Sequence, residues 1–325
     1  MAETPRLAVV IVSWNSWADL EPCLRSVEAD PRSVEAAELV VVDCASTDGT
    51  PDRVSGAFPR WQVVRCAENL GFARGNNVGF ACTSAPYVLL LNPDTTLLPG
   101  CVDRLVAVLD ASREVGAVSP LKLNGDGSDQ PSWGRFPTLR EELLRQSLLY
   151  RLVPVPSPQG PCFRPRRQRR LLPHGAARDV DWCTASGLLV RRAAVSSPLF
   201  AEGEYLYREE VVLCRRLRSA GWRVRFEPDA RMVHLMGTSV RRERARTTRL
   251  RLRGEALYFE LCGNRWQRWA SALLQIAGCS VRSAALGLVA LLGGARGRAR
   301  AASAGAYLAA AVERSRSLGA EATND

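Results

Sequence analysis

The run LAVVIVSW, residues 7–14, decides the class of fold. It carries no charge, is rich in valine and isoleucine, and shows no alternation of apolar and polar positions. A strand with one wet face alternates, whereas an unbroken apolar run is covered on both faces, as in a parallel sheet. Working outward, SWADLEPCLRSVEA (16–29) places Leu20, Leu24 and Val27 at helical spacing, with Ser16 as the expected N-cap. AELVVVDCASTDGT (37–50) is a second buried strand that ends at Asp43 and a polar turn. WQVVRCAEN (61–69) is a third strand, FARGNNVGFACTS (72–84) a glycine-punctuated helix, and APYVLLLNPDTTLLPG (85–100) a fourth strand with its turn. Strand and helix alternate from residue 7 to about 110, which predicts an α/β fold of right-handed βαβ units around a parallel sheet. Ligands of such sheets gather at the carboxyl ends of the strands. Those ends carry Asn15, Asp43, Asn69 and Asp94.

The middle of the chain is rich in Gly, Ser, Pro and Arg, and residues 152–178 read as an exposed, mobile loop. Strand character returns in DVDWCTASGLLVRR (179–192) and WRVRFEPDARMVH (222–234), with YLYREEVVLC (205–214) opening a helix between them. No internal repeat is visible. From residue 241 the composition turns to Arg, Ala and Leu, predicting a separate helical extension over 241–325 beside a main domain over 1–240. Its longest apolar run, 283–295, lies between Arg282 and Arg296 and falls short of the ~20 residues that span a bilayer. Basic amphipathic helices resting on an anionic membrane surface fit this pattern better.

Of 325 residues, 46% are apolar and 24% charged, which describes a globular chain. Lys plus Arg number 44 against 33 Asp plus Glu, a net charge of +11. Much of the excess lies in RPRRQRR (164–170) and RRERARTTRLRLR (241–253). An anionic partner is implied. Without aromatic side chains interleaved for base stacking, nucleic acid is not the expected one. SWNSW, where a dinucleotide-binding strand would be followed by G-x-G-x-x-G, argues against a dinucleotide dehydrogenase. The ten cysteines form no C-x-x-C; Cys82, Cys101 and Cys279 read as small core residues. MAETPRLAVVIVSWN lacks the pattern of a signal peptide, and a reducing cytoplasm is expected.

Together VVIVSWNS, VVDCASTDGT, ENLGFARGNN, LLLNPDTT and EEVVLCRRLRSAGW resemble glycosyltransferase family 2, in its order and approximate spacing. The likeness covers residues 7 to about 240 and is greatest to the rhamnosyltransferase-like branch. It implies a GT-A fold, Rossmann-like, with a mostly parallel central sheet flanked by helices. It also implies a nucleoside-diphosphate sugar as donor, a deoxyhexose such as rhamnose as the group moved, and a saccharide or lipid-linked acceptor in cell-surface polysaccharide synthesis. Asp43 would accept the imino proton of uracil or thymine, with Ser13, Trp14 and Asn15 lining the base. Asn69, Gly71, Arg74 and Asn76 would lie beneath the ribose and diphosphate. Asp48 is read as a turn former.

Asn92-Pro93-Asp94 stands where related enzymes carry D-x-D, leaving Asp94 to hold Mg²⁺ or Mn²⁺, with His234 either a second ligand or a structural histidine. Glu209 and Glu210 match an acidic pair, Glu-Asp in the family, whose second member deprotonates the acceptor in an inverting displacement. Glu210 thus stands for an aspartate, and the pair also reads as an anionic first turn of its helix. Two departures surround that pair. Ala201 replaces an aspartate, leaving Glu202, and Val212 stands where an aspartate is usual. They motivate an alternative, a nucleotide-binding or scaffold protein with impaired chemistry. Trp182 and Trp222 are read as acceptor-side or core residues, and Asp181 as a strand-end residue. The expected setting is the cytoplasmic face of the plasma membrane.

Overall fold

Continuous aliphatic runs build the sheet. In a computed structural model, residues 5–30, 36–147, 176–201, 208–235, 244–291 and 295–323 are described. The loop expected over 152–178 and Glu202 lie outside them, except that residues 176–178 are described and Arg178 already begins a strand. The strands are β1 (Leu7–Ser13), β2 (Glu38–Asp43), β3 (Gln62–Arg65), β4 (Tyr87–Leu91), β5 (Thr95–Leu97), β6 (Val115–Leu123), β7 (Asp129–Gln130), β8 (Trp133–Gly134), β9 (Arg178–Val180), β10 (Trp182–Cys183), β11 (Leu188–Arg191) and β12 (Arg223–His234). The helices are α1 (Trp17–Glu28), α2 (Thr50–Ala57), α3 (Gly71–Ala81), α4 (Cys101–Ala111), α5 (Leu139–Gln146), α6 (Glu209–Ser219), α7 (Arg244–Cys262), α8 (Arg265–Leu291) and α9 (Ala295–Thr323). The chain divides into two units: one holds all the strands with α1–α4 and α6, the other α5 and α7–α9.

The α/β unit is organised by one sheet in the order β3-β2-β1-β4-β11-β6-β12-β5. β1 pairs in parallel with both β2 and β4, and β2 with β3. The chain therefore winds outward from β1 through β2 and β3, then returns to β1's other side as β4. That reversal is a topological switch point, the crevice where open α/β sheets bind ligands. Beyond β4 the sheet is mixed, with β11 inserted antiparallel between β4 and β6, while β12 runs parallel to β6 and antiparallel to β5. Val9, Val10, Ile11, Val41, Leu89 and Leu90 are fully buried. Covering each contributes about 1.5–3 kcal/mol before conformational entropy is subtracted.

Two glycines bring α3 close to this sheet. A Cβ on Gly75 would stand 2.7 Å from Val12 Cγ1, and one on Gly79 would collide with Val10 Cγ1. α1 begins where expected, but Ser16 makes no side-chain cap; its hydroxyl goes to Ser13 Oγ at 2.9 Å instead. Cys101 and Cys279 are buried as expected, whereas Cys82 is exposed, because it sits at the C-cap of α3 beyond the last turn that packs on the sheet.

In the helical unit Arg145 pairs with Glu142 and with Glu255, joining α5 to α7. α8 is one uninterrupted helix through Arg282, so that arginine does not end the apolar segment as the sequence implied. Its guanidinium donates to Gln146 Oε1 (2.8 Å) and to the carbonyls of Gln146, Arg145 and Gly278, and so caps the carboxyl end of α5. Within Arg265–Ala290 mean hydropathy reaches 1.5 over a stretch only 22% buried. By length and composition alone this helix can cross a membrane. Trp266, Leu273, Val281 and Leu288 are exposed along it.

Candidate active site

Register fixes the first part of the site. Ser13 and Asp43 stand directly opposite each other at the carboxyl ends of β1 and β2. Asp43 is 2% exposed, and its Oδ1 accepts the Ser46 amide at 2.9 Å, forming the turn. Its Oδ2 is buried and has no hydrogen-bond partner among the described residues. Ser13 is buried, and its hydroxyl is paired with Ser16. Trp14, 47% exposed, presents its ring at the end of β1.

Asn15 adopts a left-handed backbone (φ 48°) and staples the two loops at this edge. Its amide donates to Ser46 Oγ (2.8 Å), and its Oδ1 accepts the Thr47 amide (2.7 Å). Its side-chain carbonyl is thus spent inside the protein. Asp48 is a turn residue: burial works against its ionisation, yet hydrogen bonds from Thr50 and the Trp17 amide hold its carboxyl below the usual range.

α3 opens on Asn69, whose Oδ1 accepts the Gly71 amide at 2.9 Å, and on Gly71 at φ +71°. A side chain at Gly71 would strain that turn. The first turn leaves backbone amides and the exposed Arg74 at the helix's positive end, a favourable place for phosphate. Arg74 lies 3.5 Å from Glu68. Asn76 lies one turn deeper and is fully buried; its Nδ2 donates to Phe72 O at 2.9 Å while Oδ1 has no partner among the described residues.

On the other side of the switch point β4 ends at Asn92-Pro93-Asp94, and β5 turns back against β12. Thr95 faces His234 in that pairing, and the Leu235 amide donates to Asp94 O at 3.0 Å. Residues far apart in the chain thereby meet: His234 Nε2 lies 3.3 Å from Asp94 Oδ1. His234 Nδ1 is 2.7 Å from Gln130 Oε1, a partner with no sequence signature. Asn92 Oδ1 is a further buried oxygen without a partner among the described residues. No group of three His, Cys, Asp or Glu side chains able to hold a metal occurs among the described residues. A hard cation that bridges phosphates nonetheless needs only one or two protein ligands, the rest being water and phosphate. The residues present fit Mg²⁺ or Mn²⁺.

The acidic pair opens α6, with Glu209 buried and Glu210 half-buried. Val212 belongs to the helix face that packs inward with Val211, Leu213 and Leu217, so its apolar side chain serves the core there. Trp182 is likewise buried, donating from Nε1 to Arg135 O at 2.7 Å, and Asp181 accepts the Phe136 amide. Near Glu210 stands a residue that motif reasoning missed. Lys122, the only lysine in the chain, is 0% exposed and donates to Thr184 Oγ1 (2.6 Å) and Ser119 Oγ (3.0 Å). Burial pushes its pKa down to about 8, against the opposing influence of Cys183, Glu210 and Cys101. Its signal was compositional: one lysine, inside an apolar strand, in a chain whose other side-chain cations at neutral pH are all arginine.

Comparison with known proteins identifies the family and the fold. Residues 8–172 match the model of glycosyl transferase family 2. The N-acetylglucosaminyl-diphospho-decaprenol L-rhamnosyltransferase of Mycobacterium tuberculosis is 32% identical over 255 residues, covering 74% of this chain and 80% of that one. The succinoglycan biosynthesis protein ExoU of Rhizobium meliloti is 33% identical over 110 residues, 33% of this chain and 31% of that protein. Among solved structures, a Pyrobaculum calidifontis mannosyltransferase in complex with GDP-Man and Mn²⁺ superposes with TM-score 0.53 at 18% identity, over 96% of this chain and 87% of that one. GalNAc-T7 with UDP, GalNAc and Mn²⁺ gives 0.52 at 16%, over 72% and 43%. These two neighbours share the fold, that of GT-A glycosyltransferases. The chain belongs to glycosyl transferase family 2, as a rhamnosyltransferase-like member.

Proposed function

We propose that this glycosyltransferase moves a deoxyhexose such as rhamnose, with inversion, from a nucleoside-diphosphate donor to a lipid-linked saccharide during cell-surface polysaccharide synthesis. The observation that carries the reading is the convergence at the β1/β4 switch point: Asp43 with a buried, unpartnered Oδ2 on one side, Asp94 facing His234 on the other. Asp43 Oδ2 accepts the imino N–H of uracil or thymine, and the α3 amides with Arg74 receive the diphosphate. Mg²⁺ or Mn²⁺ held by Asp94 and His234 would neutralise charge on the departing diphosphate. Glu210 takes the proton of the acceptor hydroxyl as its oxygen bonds to the anomeric carbon. The bond from that carbon to the diphosphate oxygen breaks on the opposite face, which inverts the configuration. The named activity of the mycobacterial relative supports the choice of sugar and acceptor class.

The helical unit supports a place at the cytoplasmic leaflet. Exposed Trp266, Leu273, Val281 and Leu288 give α8 an apolar surface, and Arg265 and Arg268 flank its start, the arrangement of a helix that seats on anionic lipid. The test is transfer from dTDP- or UDP-deoxyhexose to a membrane extract with Mn²⁺ present. Glu210→Gln and Asp94→Ala should each abolish turnover, with Glu210→Gln still binding donor. Full turnover by Glu210→Gln would remove the base. Nucleotide binding with no transfer to any acceptor would leave a nucleotide-binding protein.

A further inference from the structure

We propose that Gln130 is the positioning residue of the cation site, fixing the tautomer of His234 so that Nε2 is the nitrogen turned to Asp94. The inference rests on the donor-site reading above and adds a residue to it.

The argument begins with a chain of amides whose ends are tied to backbone carbonyls. Asn124 Nδ2 donates to Ser128 O (3.2 Å) and Asp129 O (3.2 Å), so Asn124 Oδ1 is the end left to accept. Gln130 Nε2 donates to that Oδ1 at 3.1 Å and to the His234 carbonyl at 3.0 Å. A carbonyl only accepts, so the NH₂ end of Gln130 is identified by its partners and its other end is oxygen. That oxygen lies 2.7 Å from His234 Nδ1, so Nδ1 carries the hydrogen. In the neutral ring the lone pair is then on Nε2, the atom 3.3 Å from Asp94 Oδ1.

Two electron-rich atoms thus share one space, an arrangement a cation between them satisfies. Gln130 holds both the ring and the backbone of the same histidine, so it sets position as well as tautomer. It is only 6% exposed on β7, and β7 is held against β6 by the pairings Lys122–Gln130 and Leu123–Asp129. Outer partners of this kind orient a histidine toward metal, and their loss costs about 10–100-fold in affinity.

The experiment uses the full chain with two variants, Gln130→Leu and Gln130→Glu. Gln130→Glu keeps an acceptor for Nδ1–H while losing both donated bonds. Long-range ¹⁵N–¹H spectra of the imidazoles, recorded without metal, report the tautomer directly. The chain has two histidines, and His174→Asn identifies the other signal. Mn²⁺ affinity is measured separately by electron paramagnetic resonance. The expected result is an Nδ1–H ring in the unaltered protein and in Gln130→Glu, and mixed tautomers in Gln130→Leu. Mn²⁺ binding should weaken about 10–100-fold in Gln130→Leu and by less in Gln130→Glu. An Nε2–H ring in the unaltered protein overturns the proposal, as does a folded Gln130→Leu whose tautomer and Mn²⁺ affinity are unchanged. Failure of the unaltered protein to bind Mn²⁺ while its ring is Nδ1–H would overturn the cation site and leave Gln130's hold on the ring standing.

Discussion

Replacing Lys122 tests the electrostatics of the acid centre through stability alone. The ammonium is fully buried, and burial lowers its pKa from 10.5 to about 8, although Cys183, Glu210 and Cys101 act to raise it. A lysine depressed in the folded state binds fewer protons there than in the unfolded chain between pH 8 and 10.5. Stability therefore rises with pH across that window, and below it the full penalty applies. The shift corresponds to about 3 kcal/mol, of which about 2 kcal/mol is relieved between pH 6.5 and 9.5. Buried thiols titrate in the opposite sense: burial pushes Cys23, Cys44, Cys101 and Cys183 up to about 12, so the fold loses stability above the ordinary thiol range. Comparison with Lys122→Met cancels that contribution. Urea unfolding at several pH values should show the unaltered protein gaining about 2 kcal/mol on Lys122→Met between pH 6.5 and 9.5. Lys122→Arg supplies the control, since a guanidinium stays charged throughout; its difference from Lys122→Met should be flat. A flat difference for the lysine protein, or one of opposite slope, would refute the reasoning.

Two further substitutions probe the donor side. Asp43→Asn keeps an oxygen for the Ser46 amide but turns a donor toward the imino proton. UDP or dTDP affinity measured by calorimetry should fall about 10–100-fold for the lost charge-assisted bond, with unfolding little changed, and an unchanged affinity would remove Asp43 from base recognition. Gly75→Ala drives a methyl to within 2.7 Å of Val12 and should cost about 1–3 kcal/mol in chemical denaturation. Nucleotide binding should weaken as α3 is pushed from the sheet, and a neutral outcome on both measures would show that the close approach is not required.

The parallel half of the sheet was legible because a strand covered on both faces writes its burial into every residue. Val9 to Ile11 and Val40 to Val42 need no partner to be recognised. The mixed half was not, since what places β11 antiparallel between β4 and β6 is pairing between distant segments, and two-residue strands such as β7 and β10 carry no period. Arg282 misled for a related reason: a charge inside an apolar run marks a boundary only if water is its partner, and here the partners are carbonyls at the end of α5. In the site, Asp43 and Asp94 were visible as strand-end carboxylates. Gln130 was not, because its histidine lies 104 residues away. Lys122 stood in view as a lone lysine, but no local motif attached a role to it.

In the proposed reaction, the polar groups at the switch point would make base recognition and cation dependence one property. Asp43 Oδ2, Asn76 Oδ1 and Asn92 Oδ1 are three buried oxygens without partners among the described residues, and all lie at the carboxyl ends of β2 and β4 or on the helix packed above β1 and β2. Each costs about 1–3 kcal/mol if left unpaired. Gln130 adds to the same balance by keeping the His234 lone pair turned toward Asp94. Buried acceptors of this kind favour electron-poor partners: an imino N–H, sugar hydroxyls, a metal ion. They repel a bare diphosphate, which the α3 amides and the exposed Arg74 counter from one side only. On the proposed function, bringing a nucleoside diphosphate into this crevice would call for positive charge between Asp94 and the phosphates, and the acceptors that would read the base would be part of what creates that requirement.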